Sequence, residues 1–100
     1  MKLTDARQLL KKCQERGPEG FIIKRHCWVD QLERKFTKLE VLNLLRGKGI
    51  LKVNRYPSAK SESFLWCCKD KDDRDVEIAV LFDSGQIIAI AISAYRRITK

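Results

Sequence analysis

The sequence holds a single histidine, no C-x-x-C pair and no apolar run of the roughly 18 to 20 residues that a membrane span needs. Its opening stretch, MKLTDARQLLKK, has no apolar segment of the kind a secretory signal carries. A cytoplasmic, membrane-free protein is therefore expected. The four cysteines stand at 13, 27, 67 and 68, two of them adjacent, and no histidine pairs with them at zinc-ligand spacing. They are expected to stay as reduced thiols, with Cys13 and Cys27 filling apolar positions. There is also no phosphate-cradling glycine loop, no paired carboxylates placed for a cleft and no Cys–His nucleophile spacing. No metal or other cofactor is implied. Internal repeats and low-complexity segments are missing as well.

What is present fits one domain over residues 1–100, since 44% apolar residues build a single core but not two. The net charge of +8 is unevenly placed. Residues 1–60 carry 15 Lys and Arg against 6 Asp and Glu, whereas residues 61–100 carry 6 against 7. An excess of that size concentrates polyanions and gives salt-dependent affinity for phosphate backbones. The same charge also suits a plain solvated surface or an acidic protein partner.

Ala6, Leu9, Leu10 and Cys13 recur at helical spacing behind Thr4 and Asp5, which can cap, and Gly17-Pro18 ends the segment. Phe21 to Ile23 fits an edge strand or an extended lead-in. Trp28, Val29, Leu32 and Phe36 indicate a second helix from about Arg25, and Thr37 with Glu40 forms the capping box of a third. Val41, Leu42, Leu44 and Leu45 give that helix its buried side, and Gly47 and Gly49 close it.

After Gly49 the period becomes that of strands: 50–56, 63–69, 76–82 and 86–95, joined by PSAKSE, DKDDRD and DSG. Links this short predict antiparallel hairpins, and Gly85 is expected to supply a positive φ in the last turn. In the final strand Ile88, Ile90 and Ile92 are expected against the helices, which leaves Ala89, Ala91, Ser93 and Tyr95 on the far side. With Leu51 and Val53 also turned to the helices, Lys52, Asn54 and Tyr56 would join Ser93 and Tyr95. The predicted fold is α+β, with two or three N-terminal helices on a four-stranded antiparallel sheet and a short fifth strand at 21–24 as an option.

His26 alone has a side chain that titrates near neutrality, so acid–base chemistry without a metal would use it first. At the border of an apolar stripe it equally reads as a packing residue. Lys24, Arg25 and Arg34 place cations nearby, and Arg34 follows His26 by about two helical turns, which allows one shared face. The plain alternative for Arg34 is an exposed ion pair with Asp30. Tyr95, Arg96 and Arg97 offer a phenol and two guanidiniums that can hold phosphate. Lys52, Arg55 and Tyr56 form a second basic and aromatic group. Trp28 and Trp66 read as core, and Lys69 to Asp75 as a solvated turn.

Residues 26–42, HCWVDQLERKFTKLEVL, resemble the motif H-A-x-x-R-M-x-x-R-G-[IV]-[ST]-x-x-[DE]-[VI] of a domain-of-unknown-function family. That family looks related to the RelE/MqsR/BrnT-like toxins of bacterial toxin–antitoxin systems. Its closing strand pair, which leads into Thr-x-Tyr, is similar to Ile92-Ser93-Ala94-Tyr95. The resemblance spans about residues 21–97 and leaves residues 1–18 as an added helix. His26, Arg34, Thr37, Glu40, Val41, Ser93 and Tyr95 match or nearly match. Asp30 stands where the family usually has arginine, Lys35 where it has glycine, and Ser93 where it has threonine.

The resemblance implies a RelE-like fold and a metal-independent endoribonuclease of the toxin type. His26, Arg34 and Tyr95 form the expected catalytic set, and Lys24, Arg25, Lys52, Tyr56, Ser93 and Arg96 the substrate-binding set. Arg34 and Arg96 would stabilise the phosphate, while Tyr95 and Lys52 position the RNA strand. The partners implied are RNA and an acidic antitoxin protein; the sequence fixes no oligomeric state. The alternative is a non-catalytic basic module that binds nucleic acid or an acidic partner protein.

Overall fold

Helix α1, Leu3–Glu15, turns Ala6, Leu9, Leu10 and Cys13 into the core, as their spacing requires. It starts two to three residues earlier than Thr4 and Asp5 suggested. Lys2 is its extended N-cap and makes no side-chain cap, so Asp5 lies inside the first turn beside the positive end of the helix dipole. Gly17, at φ +73°, and Pro18 then lead the chain through a 3₁₀ turn, Gly17–Gly20. A side chain at Gly20 would collide with the Cys13 backbone, which fixes glycine there.

The computed structural model describes residues 1–27, 36–54 and 63–96, and of His26 it describes the backbone. Strand β1, Phe21–Ile23, is followed by a short 3₁₀ turn, Arg25–Cys27, where a longer helix was expected. Most of that expected helix, including Trp28, Val29, Leu32 and Arg34, lies outside the described residues. Helix α2, Lys38–Arg46, begins on the anticipated capping box: Glu40 N–H donates to Thr37 Oγ1 at 3.0 Å, and Thr37 N–H donates to Glu40 Oε1 at 3.2 Å. Among the described residues no helix is long and apolar enough to cross a membrane.

Strands β2 (Ile50–Val53), β3 (Phe64–Lys69), β4 (Asp75–Asp83) and β5 (Ile88–Arg96) follow the predicted segments, with β2 ending at Val53. The sheet is five-stranded in the order β1-β5-β4-β3-β2, so β1 and β2 form its edges. Neighbours along β2-β3-β4-β5 are antiparallel, but β1 runs parallel to β5, with Phe21 opposite Ala89 and Ile23 opposite Ala91. The sheet is therefore mixed. Gly49 enters it closely: a Cβ there would come within 2.6 Å of the Trp66 ring.

One face of the sheet packs on α1 and α2. Phe64, Trp66, Cys68, Val76, Ile78 and Val80 join Leu10, Val41, Leu45 and Phe36 in a single cluster. Full burial of a side chain such as Leu45 or Ile78 contributes about 1.5–3 kcal/mol. Trp66 is core, as expected, and its indole N–H donates to Leu44 O at 2.9 Å.

The faces of β5 differ from the sequence reading. Ala89, Ala91 and Ala94 are fully buried on the helix side, while Ile88, Ile90 and Ile92 are only half-buried. Small residues sit where α1 contacts the strand, and the isoleucines turn to the far side. The alternation is interrupted between Ala79 and Val80: Val80 opposes Ala91, but Ala79 opposes Ser93. Ile92 is thus the extra residue of a β-bulge. Beyond it, Ala94 and Arg96 face the helices, and Ser93 and Tyr95 turn away from them. The turn before β5 also departs from expectation. Ile87, not Gly85, takes the positive φ, at 55°, and Asp83 Oδ1 accepts from Gly85 N–H and Gln86 N–H at 3.0 and 3.2 Å.

Candidate functional site

The face turned away from α1 and α2 is ordered by strand register. One row reads Ser93, Ala79, Leu65, Lys52, and the next reads Tyr95, Glu77, Cys67, Ile50. Ser93, Tyr95 and Lys52 thus share a face, as the sequence suggested. They do not share a point: Lys52 and Ser93 stand three strands apart, about 14 Å at ordinary strand spacing. Tyr95 donates its phenol to Glu77 Oε2 at 3.1 Å, which holds the ring over β4. A shallow hollow beside this pair is lined by Lys52, Cys67, Lys69, Asp75 and Glu77. Four of these, Cys67, Lys69, Asp75 and Glu77, were not anticipated. Counting back from the Asp83–Gly85 turn opposes Glu77 to Ala94, and only the bulge brings it to Tyr95.

Parallel pairing of β1 on β5 positions the histidine. Lys24 N–H continues the ladder by donating to Ala91 O at 2.9 Å, and Cys27 N–H closes the 3₁₀ turn on Lys24 O at 3.0 Å. The Arg25–Cys27 turn, with the backbone of His26, therefore lies against β5, the strand that also carries Ser93 and Tyr95. Lys24 and Arg25 are exposed at the strand end, while Cys27 is buried in the core. Arg34 and Tyr56, also assigned to the site from sequence, lie outside the described residues, as do Arg55 and Arg97.

Arg96 is placed elsewhere. Because the bulge turns it to the helix side, its Nε donates to Asp70 Oδ2 at 2.8 Å, an Nη lies 3.7 Å from Glu40 Oε2, and the guanidinium carbon sits 4.1 Å from the centre of the Phe36 ring. Its expected phosphate-binding role is replaced by a structural one that ties β5 to the β3–β4 turn and to α2. Asp70 Oδ1 in addition accepts from Asp72 N–H and Arg74 N–H. Partial burial pushes the Asp70 carboxyl up, but the hydrogen bonds from Arg96, Arg74 and Asp72, with the Arg96 charge, outweigh it and hold the group below its ordinary value.

None of the four cysteines is in a disulfide. Burial pushes Cys27 up to about 11 against the backbone hydrogen bond at Lys24. It pushes Cys68 up to about 12, assisted by Cys67 and Asp70. Such thiols are poor nucleophiles at neutral pH. Among the described residues no three His, Cys, Asp or Glu side chains gather to hold a metal ion. No family model, curated protein or solved structure matches the chain.

Proposed function

We propose that the chain is a RelE-like endoribonuclease of the toxin type, acting on cytoplasmic RNA without a metal. The observation that carries this reading is the course of β1 along β5, which brings the His26 backbone alongside β5 beyond Ala91, on the strand that bears Ser93 and Tyr95. In this reading His26 takes the proton of a ribose 2′-hydroxyl, the 2′-oxygen bonds to phosphorus, and the 5′-oxygen leaves with a proton. The products are a 2′,3′-cyclic phosphate and a 5′-hydroxyl. Lys24 and Arg25, and Arg34 from the following segment, supply the positive charge that the transition state needs. Ser93, Tyr95 and Lys52 hold successive parts of the RNA strand across the sheet.

The test is cleavage of a labelled RNA in EDTA. The wild type is expected to cut it, and His26→Ala to lose at least about 100-fold, the usual contribution of a general base. Equal cleavage by the variant, or none by the wild type, overturns the reading.

Engagement of Arg96 by Asp70, Glu40 and Phe36 favours a second reading, a basic binding module without chemistry, since it withdraws one transition-state cation. RNA retention that falls steeply with salt while the RNA stays intact would select that reading.

A further inference from the structure

Five apolar side chains share the far face of the sheet around Ile90. Ile22 lies opposite Ile90 and Ile90 opposite Leu81, so these three form a row across β1, β5 and β4. Ile88 precedes Ile90 on the same face of β5, and Ile92 follows it at the bulge. None of the five belongs to the core cluster; Ile22 is 42% exposed and the others are half-buried. A contiguous apolar patch of this kind marks a surface that another molecule covers.

Two charged residues close the patch at the ends of a diagonal. Lys24 extends β1 on the face of Ile22 and stands level with Ile92, since its N–H donates to Ala91 O at 2.9 Å. Asp83 shares its face with Leu81 and lies opposite Ile88. Neither makes an ion pair among the described residues. Lys24 and Asp83 are separated by two strand spacings across the sheet and four residues along it, about 16 Å at ordinary strand dimensions, and Ile90 is the midpoint.

This placement makes the patch complementary to itself. Let a second copy face the first across a two-fold axis that passes Ile90 between the sheets, at right angles to the Lys24–Asp83 diagonal. Each Lys24 then meets the other copy's Asp83, Ile90 meets Ile90, Ile22 falls near Ile88, and Leu81 falls near Ile92. A two-fold contact demands that reciprocity. The strands of the two sheets cross near a right angle, one of the two ways in which sheets pack face to face.

We infer that two copies of the chain associate face to face through this patch, centred on Ile90. The net charge of +8 sets copies against each other in general, whereas here one cation and one acid from each copy pair off. The patch covers three of the five strands, so the contact is smaller than the roughly 800 Å² per copy of a standard interface, and the dimer exchanges with monomer at micromolar concentrations. The inference does not rest on the nuclease reading. Where both hold, the dimer keeps Lys24 from the RNA and leaves its part to Arg25 and Arg34.

The experiment is sedimentation velocity of the full chain from micromolar to submillimolar concentration. The wild type is expected to pass from monomer to dimer and no further. Ile22→Thr, which keeps a β-branched side chain in the strand, is expected to weaken the dimer about tenfold, whereas Val53→Thr, at an exposed apolar residue on the opposite face of the sheet, leaves it unchanged. Lys24→Glu lowers the net charge and by general repulsion alone would strengthen association; pairing with Asp83 predicts about tenfold weakening instead. Adding Asp83→Asn, which retains the side-chain oxygen that accepts from Gly85 N–H, should then recover part of the loss. Thermal unfolding checks the fold of each variant, and the exposed Lys24 decides the matter if Ile22→Thr proves unstable. A wild type that stays monomeric throughout would assign the patch to a different protein and overturn the inference. So would equal effects of Ile22→Thr and Val53→Thr, or a Lys24→Glu variant that dimerises as well as the wild type. No RNA enters these measurements, so failure here and failure of the nuclease reading are separate results.

Discussion

Arg96 Nε and Asp70 Oδ2 meet at 2.8 Å, and the side chains that carry them are 23% and 6% exposed. The pair joins the last described strand to a turn 26 residues earlier, and it is sheltered enough to matter for stability. Arg96→Ala should lower the free energy of unfolding in urea by about 1–3 kcal/mol, the cost of leaving a sheltered charged acceptor without its donor. A loss below about 0.5 kcal/mol would mean that the pair behaves as an ordinary surface ion pair.

The same carboxylate sets an acid limit. Its folded value lies below its unfolded one, so its stabilising contribution is complete above the unfolded value, about 3.9, and disappears as the pH falls through the folded value. Urea midpoints measured from pH 5 downward should therefore fall, and Asp70→Asn should flatten that fall while lowering stability at pH 7.

Buried thiols set an alkaline limit with the opposite sign. Cys27 and Cys68 are raised to about 11 and about 12, so their neutral forms stabilise the fold fully below the unfolded thiol value, about 8.5. Stability should decline as the pH rises from there toward those values. At pH 8 iodoacetamide should label both at least tenfold faster in urea than in the native protein, as read by mass spectrometry; equal rates would refute their burial.

The orientation of β5 can be checked by a pair of substitutions. Ala91→Leu, on the helix side, should overpack the core and cost about 1–3 kcal/mol. Ile90→Thr, on the far side, should cost less than about 1 kcal/mol. The reverse order in thermal unfolding would restore the assignment read from side-chain size.

Thr37→Ala should remove the Oγ1 acceptor from Glu40 N–H and cost about 1 kcal/mol, whereas Thr37→Ser should retain most of it. Chemical denaturation of the two variants separates the cap from the rest of the side chain.

Local signals were the legible ones. The i, i+3, i+4, i+7 spacing of Ala6 to Cys13 and the Thr37–Glu40 box each lie within one element, and both appear as read. The four long strands were readable for the same reason. The parallel partner of β1 was not, because three residues carry no period and their direction is chosen by a strand far along the chain. Side-chain size misled the facing of Ile88 and Ile90, since a strand under a close helix takes alanine inward. Ser93 and Tyr95 were nevertheless placed on the correct side, because the bulge at Ile92 reversed parity once more. That same slip removed Arg96 from the candidate site and brought Glu77 to Tyr95; hairpin counting without the bulge finds neither.

The pairing of Phe21 with Ala89 bears on the order in which the molecule assembles. The meander β2 to β5 joins neighbours in sequence and can form by itself, whereas β1 must wait for a strand synthesised almost seventy residues later. On the ribosome the stretch around His26 emerges early yet has no place to settle until β5 has been made. Any activity that depends on that stretch is therefore withheld from the nascent polypeptide.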